Sequence, residues 1–227
     1  MSKYTRRTIL KAGSVGATGL VLAANLASCQ PIDLAVGAPT LEPTPSCDDG
    51  DHEPTEQNAE GPFYTPSTPE RTVLVGVDDP GTRLLMTGRV VNIQCQPIAG
   101  ALLDFWHTDD AGDYDNEGFT FRGHQFADDE GNYRLETILP GIYTGRTRHI
   151  HVKVTSPSGS TLTTQTYFAD DPGNAVDRLI LPSLLMPVID HEDGSKSATF
   201  DFVLDYAVAE APLTEDHKIY FPLIEQS

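Results

Sequence analysis

The sequence predicts an all-β fold, a β-sandwich with a short, mostly non-helical set of connections. Six segments of the 227-residue chain alternate apolar and polar residues, which is the period of a half-buried strand. The stretches between them are short and rich in Gly, Pro, Asp and Asn, residues that turns require. Many short strands joined by such turns are typical of a sandwich or barrel.

The six predicted strands follow one another at short spacing. They are 83–92, 101–109, 131–139, 148–156, 161–168 and 198–208. Turn sequences QPIAG, DEGN, LPGIY and SPSGS separate neighbouring members of this series. Only 175–185, AVDRLILPSLL, has a pattern that suits a short helix. The chain length allows one core of this kind plus an appendage.

The appendage is the N-terminus, where residues 1–28 have the pattern of an export signal. TRRTILK contains a twin-arginine pair, and the apolar run behind it is short and Gly-containing for a membrane span. Cys29 ends LASC, which resembles a bacterial lipobox, so we expect a lipid anchor there; an ordinary cleavage site with an incidental cysteine is the alternative. Residues 29–55 are predicted to be a flexible tether and 56–227 the β-domain.

The charge of the chain excludes one class of partner. There are 33 Asp and Glu residues against 15 Lys and Arg. Such a surface repels nucleic acid and anionic lipid headgroups, so we expect no nucleic-acid partner and a membrane association only through Cys29. Cys47 and Cys95 could be bridged in an oxidising compartment or could be buried thiols, because the sequence fixes no distance between them.

The segment RTRHIHVKV holds the first candidate metal ligands. In a strand, His149 and His151 point to one face together with Lys153, opposite the apolar residues. Two imidazoles on one strand face can converge on one ion, although such pairs are also found exposed to solvent or satisfied by hydrogen bonds. Tyr114 and Tyr143 lie in turn-rich loops, where a tyrosine often packs its ring on the domain edge instead.

Longer stretches carry a resemblance to a known family. EGPFY, ALLDFWHTDDAGDY, FRGHQFADDEGNYRLETILPGIYTGRTRHIHVKV and TQTYF occur in that order between 57 and 168. Together they resemble the intradiol ring-cleavage dioxygenases, the family of catechol and protocatechuate 3,4-dioxygenases. The resemblance implies a β-sandwich that holds a non-haem Fe(III) through two tyrosines and two histidines. The matching residues are Tyr114, Tyr143, His149 and His151, and no flavin or nicotinamide is implied.

The resemblance also implies roles for individual residues. Tyr143 would leave the metal when a catechol binds and accept one of its protons, and the product would be a cis,cis-muconate-type diacid made with O₂. Arg146 matches a cation beside the developing negative charge and Gln165 its polar partner. On the residues alone, Arg146 could be a solvated loop cation and Gln165 an outward strand residue.

Several alternatives stay open at this stage. The same histidines could hold Zn or Cu without catalysis, or the sandwich could bind a ligand or partner at the cell surface. Trp106 is expected in the core, His107 at a pocket wall or the surface, and His124 in a structural role. The acidic composition slightly favours an uncharged catechol as substrate, and a homodimer is an open expectation.

Overall fold

The computed structural model describes residues 53–207, which form ten strands and two 3₁₀ helices. The predicted signal, Cys29 and Cys47 lie outside the described residues. The strands are β1 (Arg83–Asn92), β2 (Leu102–Trp106), β3 (Arg122–Phe126), β4 (Asn132–Ile138), β5 (His149–Thr155), β6 (Thr161–Phe168), β7 (Leu185–Met186), β8 (Val188–Asp190), β9 (Lys196–Thr199) and β10 (Phe202–Leu204). The 3₁₀ helices are Pro172–Ala175 and Pro182–Leu184.

The strands form two five-stranded sheets, as expected for a sandwich. In the first sheet, β1 pairs antiparallel with β4 along one edge. Along its other edge β1 pairs in parallel with β9 and then β10, and β8 closes the sheet beside β9. The second sheet has the order β3-β2-β5-β6-β7, antiparallel except for the last pair.

Apolar side chains of both sheets form one core. The inward residues of β5, Ile150, Val152 and Val154, are fully buried, as the alternation predicts. They belong to the same cluster as Leu84 and Met86 of β1, together with Leu103, Phe105, Leu135, Ile138, Phe200 and Phe202. The core therefore lies between the sheets, and the histidines of β5 must face away from it.

The last predicted strand, 198–208, is divided into two by a close approach of the backbone. A Cβ on Gly88 of β1 would lie 1.8 Å from the carbonyl oxygen of Phe200, so only glycine allows this crossing. The Phe200 amide donates to Thr87 O and the Arg89 amide to the Asp201 carboxylate, which carries the pairing across the break. β9 therefore ends before Phe200 and β10 begins after Asp201.

The helix predicted at 175–185 is wrong. Its centre is irregular, and only Pro182–Leu184 forms a 3₁₀ turn, because Pro182 cannot donate a backbone hydrogen bond and its ring disfavours helix in the residue before it. The sequence prediction also missed β3, whose apolar residues do not alternate cleanly, and the short strands β7 and β8. Within 53–207 no helix is long and apolar enough to cross a membrane.

Residues 55–71, here called the covering segment, cross the outer face of the second sheet. The Asn58 amide donates to Thr163 O on β6, and the Arg71 amide donates to His124 O on β3. Between these ends, the Thr68 hydroxyl donates to the Asp104 carboxylate of β2 at 2.7 Å. The face of β5 that carries the histidines is consequently buried under this segment.

Candidate metal centre

His149 and His151 lie side by side at the start of β5, on the outer face that the alternation predicts. Their ring centroids are 4.8 Å apart, and the two residues are 4% and 2% exposed. Trp106 of β2, directly opposite His151 in the sheet, stacks on its imidazole at 4.8 Å. Trp106 is itself buried, on the outer face with His151 and apart from the core cluster between the sheets, so the imidazole pair has an aromatic wall on one side.

Both imidazoles approach one phenol. The Nε2 atoms of His149 and His151 each lie 3.1 Å from the hydroxyl oxygen of Tyr114. His149 donates through Nδ1 to the Thr147 carbonyl at 2.7 Å, which leaves a lone pair on its Nε2. Three potential ligand atoms from two parts of the chain therefore meet at one point.

This donor set suits a cation better than it suits hydrogen bonds alone. The Tyr114 hydroxyl has one proton, and Nδ1 of His151 is buried without a hydrogen-bond partner among the described residues. When His151 carries its proton on Nδ1, the single Tyr114 proton can serve only one of the two Nε2 lone pairs, whereas a cation could be shared by all three donor atoms. Within 53–207 no three His, Cys, Asp or Glu side chains converge, so an ion held here would need tyrosine oxygen.

Tyr143, the fourth candidate ligand, lies beside Tyr114. Their rings meet edge to face with centroids 5.8 Å apart. Phe63 of the covering segment stacks on Tyr114 at 4.4 Å and meets Tyr143 edge-on at 5.4 Å. The structure thus brings all four candidate side chains into one cluster, and their role as ligands stays a prediction.

Burial holds both imidazoles in the neutral form. It lowers the pKa of His149 to about 4 and that of His151 well below its ordinary value, and the nearby charge of Arg146 acts in the same direction on both. Burial also raises the pKa of the Tyr114 phenol. Neutral imidazole is the form that binds metals, and a bound cation would oppose the effect of burial on the phenol.

The stability of the metal-free protein should depend on these buried imidazoles. Burial lowers the pKa of His107, as well as that of His149, to about 4, below the ordinary value of about 6.5. Between those pH values the unfolded chain binds protons that the folded chain does not. The free energy of unfolding should therefore be largest above about pH 6.5 and fall by a few kcal/mol as the pH drops to about 4.

Urea unfolding of metal-free protein between about pH 7 and about pH 4.5 measures this effect. His107→Gln should flatten the pH dependence, because one of the three buried imidazoles with a lowered pKa is gone. A free energy of unfolding that stays constant across this range would contradict the expected neutral state.

Arg146 lies in the loop before β5 and is held by three side chains. Its Nε donates to the Asp177 carboxylate at 2.8 Å, and its Nη2 donates to Gln165 Oε1 at 2.7 Å and to the Tyr167 hydroxyl at 3.3 Å. The Arg146 side chain is 18% exposed, and Gln165 is fully buried opposite His151 in the sheet. Arg146 is therefore not a solvated loop cation, and Gln165 is not an outward residue exposed to solvent.

Two other histidines of the sequence have structural contacts. His107 is buried, with Nδ1 2.7 Å from Thr108 O and Nε2 2.6 Å from the Thr137 hydroxyl, so the surface alternative is wrong and the pocket-wall alternative stays a prediction. Nδ1 of His124 lies 2.8 Å from the Thr68 carbonyl, which agrees with the structural role predicted for it.

Sequence reasoning missed several residues around the cluster. Tyr167 lies opposite His149 in the sheet, and the pairing of β5 with β6 could have indicated it. Asp177 lies in a loop without periodicity and gave no signal. Arg122 of β3 is fully buried with its Cζ 5.9 Å from the Tyr114 ring centroid, and burial of arginine is too uncommon to be expected from a pattern.

Comparison with known proteins agrees with this architecture. A family model described as Dioxygenase matches residues 59–206. A catechol 1,2-dioxygenase of Candida albicans is 27% identical over 66% of this chain and 60% of its own length, so the chain spans less than two thirds of that relative. A chlorocatechol 1,2-dioxygenase of Pseudomonas putida is 31% identical over 66% of this chain and 68% of its own length.

Solved structures give the same result. The dioxygenase domain of a dioxygenase carbohydrate-binding protein fusion from Streptomyces sp. SirexAA-E is 49% identical, with a TM-score of 0.67. The match covers 68% of this chain and 100% of that one. With the family model matched over more than half of the sequence, the chain belongs to the family of the intradiol ring-cleavage dioxygenases.

Proposed function

We propose that this protein cleaves the ring of a catechol-type diol between its two hydroxyl carbons with O₂, yielding a cis,cis-muconate-type diacid. The observation that carries the proposal is the meeting of the Tyr114 hydroxyl with Nε2 of both histidines, each at 3.1 Å, in a partly buried position. Tyr143 lies beside this point, and the chain belongs to a family of ring-cleaving enzymes.

A non-haem Fe(III) would be held by Tyr114, Tyr143, His149 and His151. Phenolate oxygens are hard anionic donors that favour Fe(III) over Fe(II), and neutral imidazoles complete such a set. When bound, the ion would supply the Lewis acidity that stabilises the substrate dianion and opens a ring carbon to O₂. Burial excludes bulk water from the two imidazoles, which strengthens their electrostatic interactions.

The side chains of this protein would handle the protons and the charge. We assign the acceptance of one catechol proton to the Tyr143 phenol oxygen, which would be a phenolate when it holds the ion and would become a hydroxyl on taking up the proton. The Arg146 guanidinium would stabilise negative charge that develops on the substrate, because it is already oriented by Asp177 and Gln165 before the reaction. Trp106 and the covering segment would keep water from the side of the site behind His151.

The paired cations around the site favour an uncharged diol as substrate. Arg146 pairs with Asp177, Arg148 with Asp171 and Lys153 with Glu60. Arg122 is fully buried and donates to backbone carbonyls. Arg146, Arg148 and Lys153 thus each pair with a carboxylate already, and a substrate carboxylate would have to compete for one of them. The buried Nη2 of Arg122 is the exception, since it has no hydrogen-bond partner among the described residues. The names of the relatives include catechol, chlorocatechol and hydroxyquinol as substrates.

The test uses the purified chain, first as isolated and then loaded with iron. Its visible spectrum should contain a phenolate-to-Fe(III) charge-transfer band. O₂ uptake should follow addition of catechol, 4-methylcatechol or hydroxyquinol, with protocatechuate slower by at least about tenfold because its carboxylate is unpaired. A colourless zinc protein or a blue copper protein that consumes no O₂ would contradict the proposal and favour a metal-binding module without catalysis.

We also propose that the protein is exported by the twin-arginine route and anchored by a lipid on Cys29. The Arg6-Arg7 pair and the LASC sequence support this location. Cys95 is disulfide-bonded, which suits an oxidising compartment outside the cytoplasm. Cell fractionation should find the wild type with membranes and the Cys29→Ala variant released; equal release of both would contradict the anchor.

A further inference from the structure

The carboxylate of Asp177 is the point at which several contacts of the site meet. It lies in the loop that follows the 3₁₀ helix Pro172–Ala175, and its side chain is 2% exposed. Its Oδ2 accepts from Arg146 Nε at 2.8 Å and from the Thr147 amide at 3.0 Å. Its Oδ1 accepts from the Leu179 amide at 2.9 Å, so the carboxylate itself is fixed.

Asp177 reaches the candidate metal centre by two routes. One runs through Arg146, whose Nη2 donates to Gln165 and Tyr167. The other runs through Thr147: Asp177 holds its amide, and its carbonyl accepts from Nδ1 of His149 at 2.7 Å. The same carboxylate therefore holds both the cation of the site and the residue that orients one imidazole.

The backbone alone does not fix this part of the chain. β5 begins at His149, so Arg146 and Thr147 lie outside the sheet, in the turn where the Arg146 amide donates to Tyr143 O. Gly145, at φ +78°, allows that turn. A loop without ladder hydrogen bonds depends on side-chain contacts to keep one conformation, and Asp177 supplies them to two successive residues.

We propose that Asp177 is a positioning residue for the ring-cleavage reaction. By holding Arg146 and Thr147 together, it keeps the guanidinium and the His149 imidazole at fixed relative positions before the substrate binds. Preorganisation of this kind is what makes a cation effective at developing charge. The inference rests on the proposed function, because it assigns Asp177 to the same site.

The chain contains a matched control. Asp171 pairs with Arg148 at the same 2.8 Å, and its side chain is likewise 2% exposed. Asp171 also caps the 3₁₀ helix by accepting from the Gly173 amide. Breaking the Asp171 pair therefore removes an equivalent ion pair from the same region while leaving Arg146, Gln165 and Tyr167 in contact.

The experiment compares Asp177→Asn with Asp171→Asn in the iron-loaded full chain. Asp177→Asn keeps the shape and one acceptor oxygen but loses the charge. It should lower kcat for catechol by about 10-fold to 100-fold with KM little changed, and it should speed the loss of iron to a chelator. Asp171→Asn should change kcat and iron loss less than about threefold, although its melting temperature falls similarly.

A second arm tests whether Asp177 acts through Arg146. In an Arg146→Gln background, the further loss of kcat caused by Asp177→Asn should be much smaller than in the wild type, because coupled residues are not additive. If Asp177→Asn does not fold, Asp177→Glu and Asp171→Glu replace the pair, with the kcat loss again confined to position 177.

Two negative results have different meanings. A wild type that consumes no O₂ with any of the diols contradicts the proposed function. A wild type that turns over, with equal kcat and equal iron loss in the two Asn variants, overturns only the role of Asp177. Fully additive kcat effects in the double variant overturn its action through Arg146.

Discussion

Tyr114→Phe is expected to abolish iron binding and ring cleavage while the fold is retained. The change removes the one oxygen that lies 3.1 Å from Nε2 of both histidines and keeps the ring that stacks on Phe63. Removing a hydrogen-bond partner of a metal ligand typically lowers metal affinity by about 10-fold to 100-fold. Removing the ligand itself should therefore lower iron affinity by more than about 100-fold. Iron content per chain, the visible spectrum and O₂ uptake measure the effect.

Tyr133→Phe is the matched control for this change. Tyr133 is buried, and its hydroxyl donates to the Phe200 carbonyl at 2.7 Å in the first sheet, away from the histidines. Its loss should cost about 1–3 kcal/mol of stability and leave iron binding unchanged. Normal iron content in Tyr114→Phe, or equal iron loss in both variants, would mean that Tyr114 is not a ligand.

The regular part of this fold follows from the sequence because the sheet period is strict. In β5 the burial of Ile150, Val152 and Val154 follows from alternation alone. The burial of His149 and His151 on the other face does not, since it depends on the covering segment, which has no period of its own. Alternation predicts which residues share a face of the strand. Whether that face is exposed to solvent or buried depends on tertiary contacts.

The candidate site divides in the same way. The histidine pair is visible in the strand pattern, whereas Tyr114 and Tyr143 were candidates chiefly because longer stretches resemble a known family. Asp177 was not predicted, because its partner Arg146 is 31 residues earlier in sequence and both lie in loops. No regular sequence spacing relates two loop residues that contact each other, so a residue such as Asp177 can be identified only from the folded structure.

Arg122→Met should give the largest loss of stability among changes outside the core. Arg122 is fully buried; its Nε donates to the Asp115 carbonyl at 2.8 Å and its Nη1 to the Phe63 carbonyl at 2.6 Å. Methionine has a similar length and no donor, so both carbonyls would lose a charge-assisted hydrogen bond. An unsatisfied buried acceptor costs about 1–3 kcal/mol. Because both carbonyls are only partly buried, and because the change also removes the unpartnered Nη2 of Arg122, we expect a fall of about 2 kcal/mol in the free energy of unfolding.

The contacts of Arg122 make this more than a stability effect. Asp115 follows Tyr114 in the chain, and Phe63 stacks on the Tyr114 ring. The Arg122 guanidinium therefore joins the two segments that hold the Tyr114 phenol. Arg122→Met should therefore also weaken iron binding by about 10-fold to 100-fold. Burial lowers the pKa of Arg122, because removing the guanidinium from water disfavours its charged form.

The control is Arg134→Met, because Arg134 pairs with Glu136 on an exposed face and its side chain is 55% exposed. That change should alter stability by less than about 0.5 kcal/mol and leave iron binding unchanged. Urea unfolding and iron titration of both variants separate the outcomes. Arg122→Met could instead have the free energy of unfolding and the iron affinity of the wild type. The two carbonyl contacts would then contribute nothing measurable, and the Tyr114 loop would be held by the stacking of Phe63 instead.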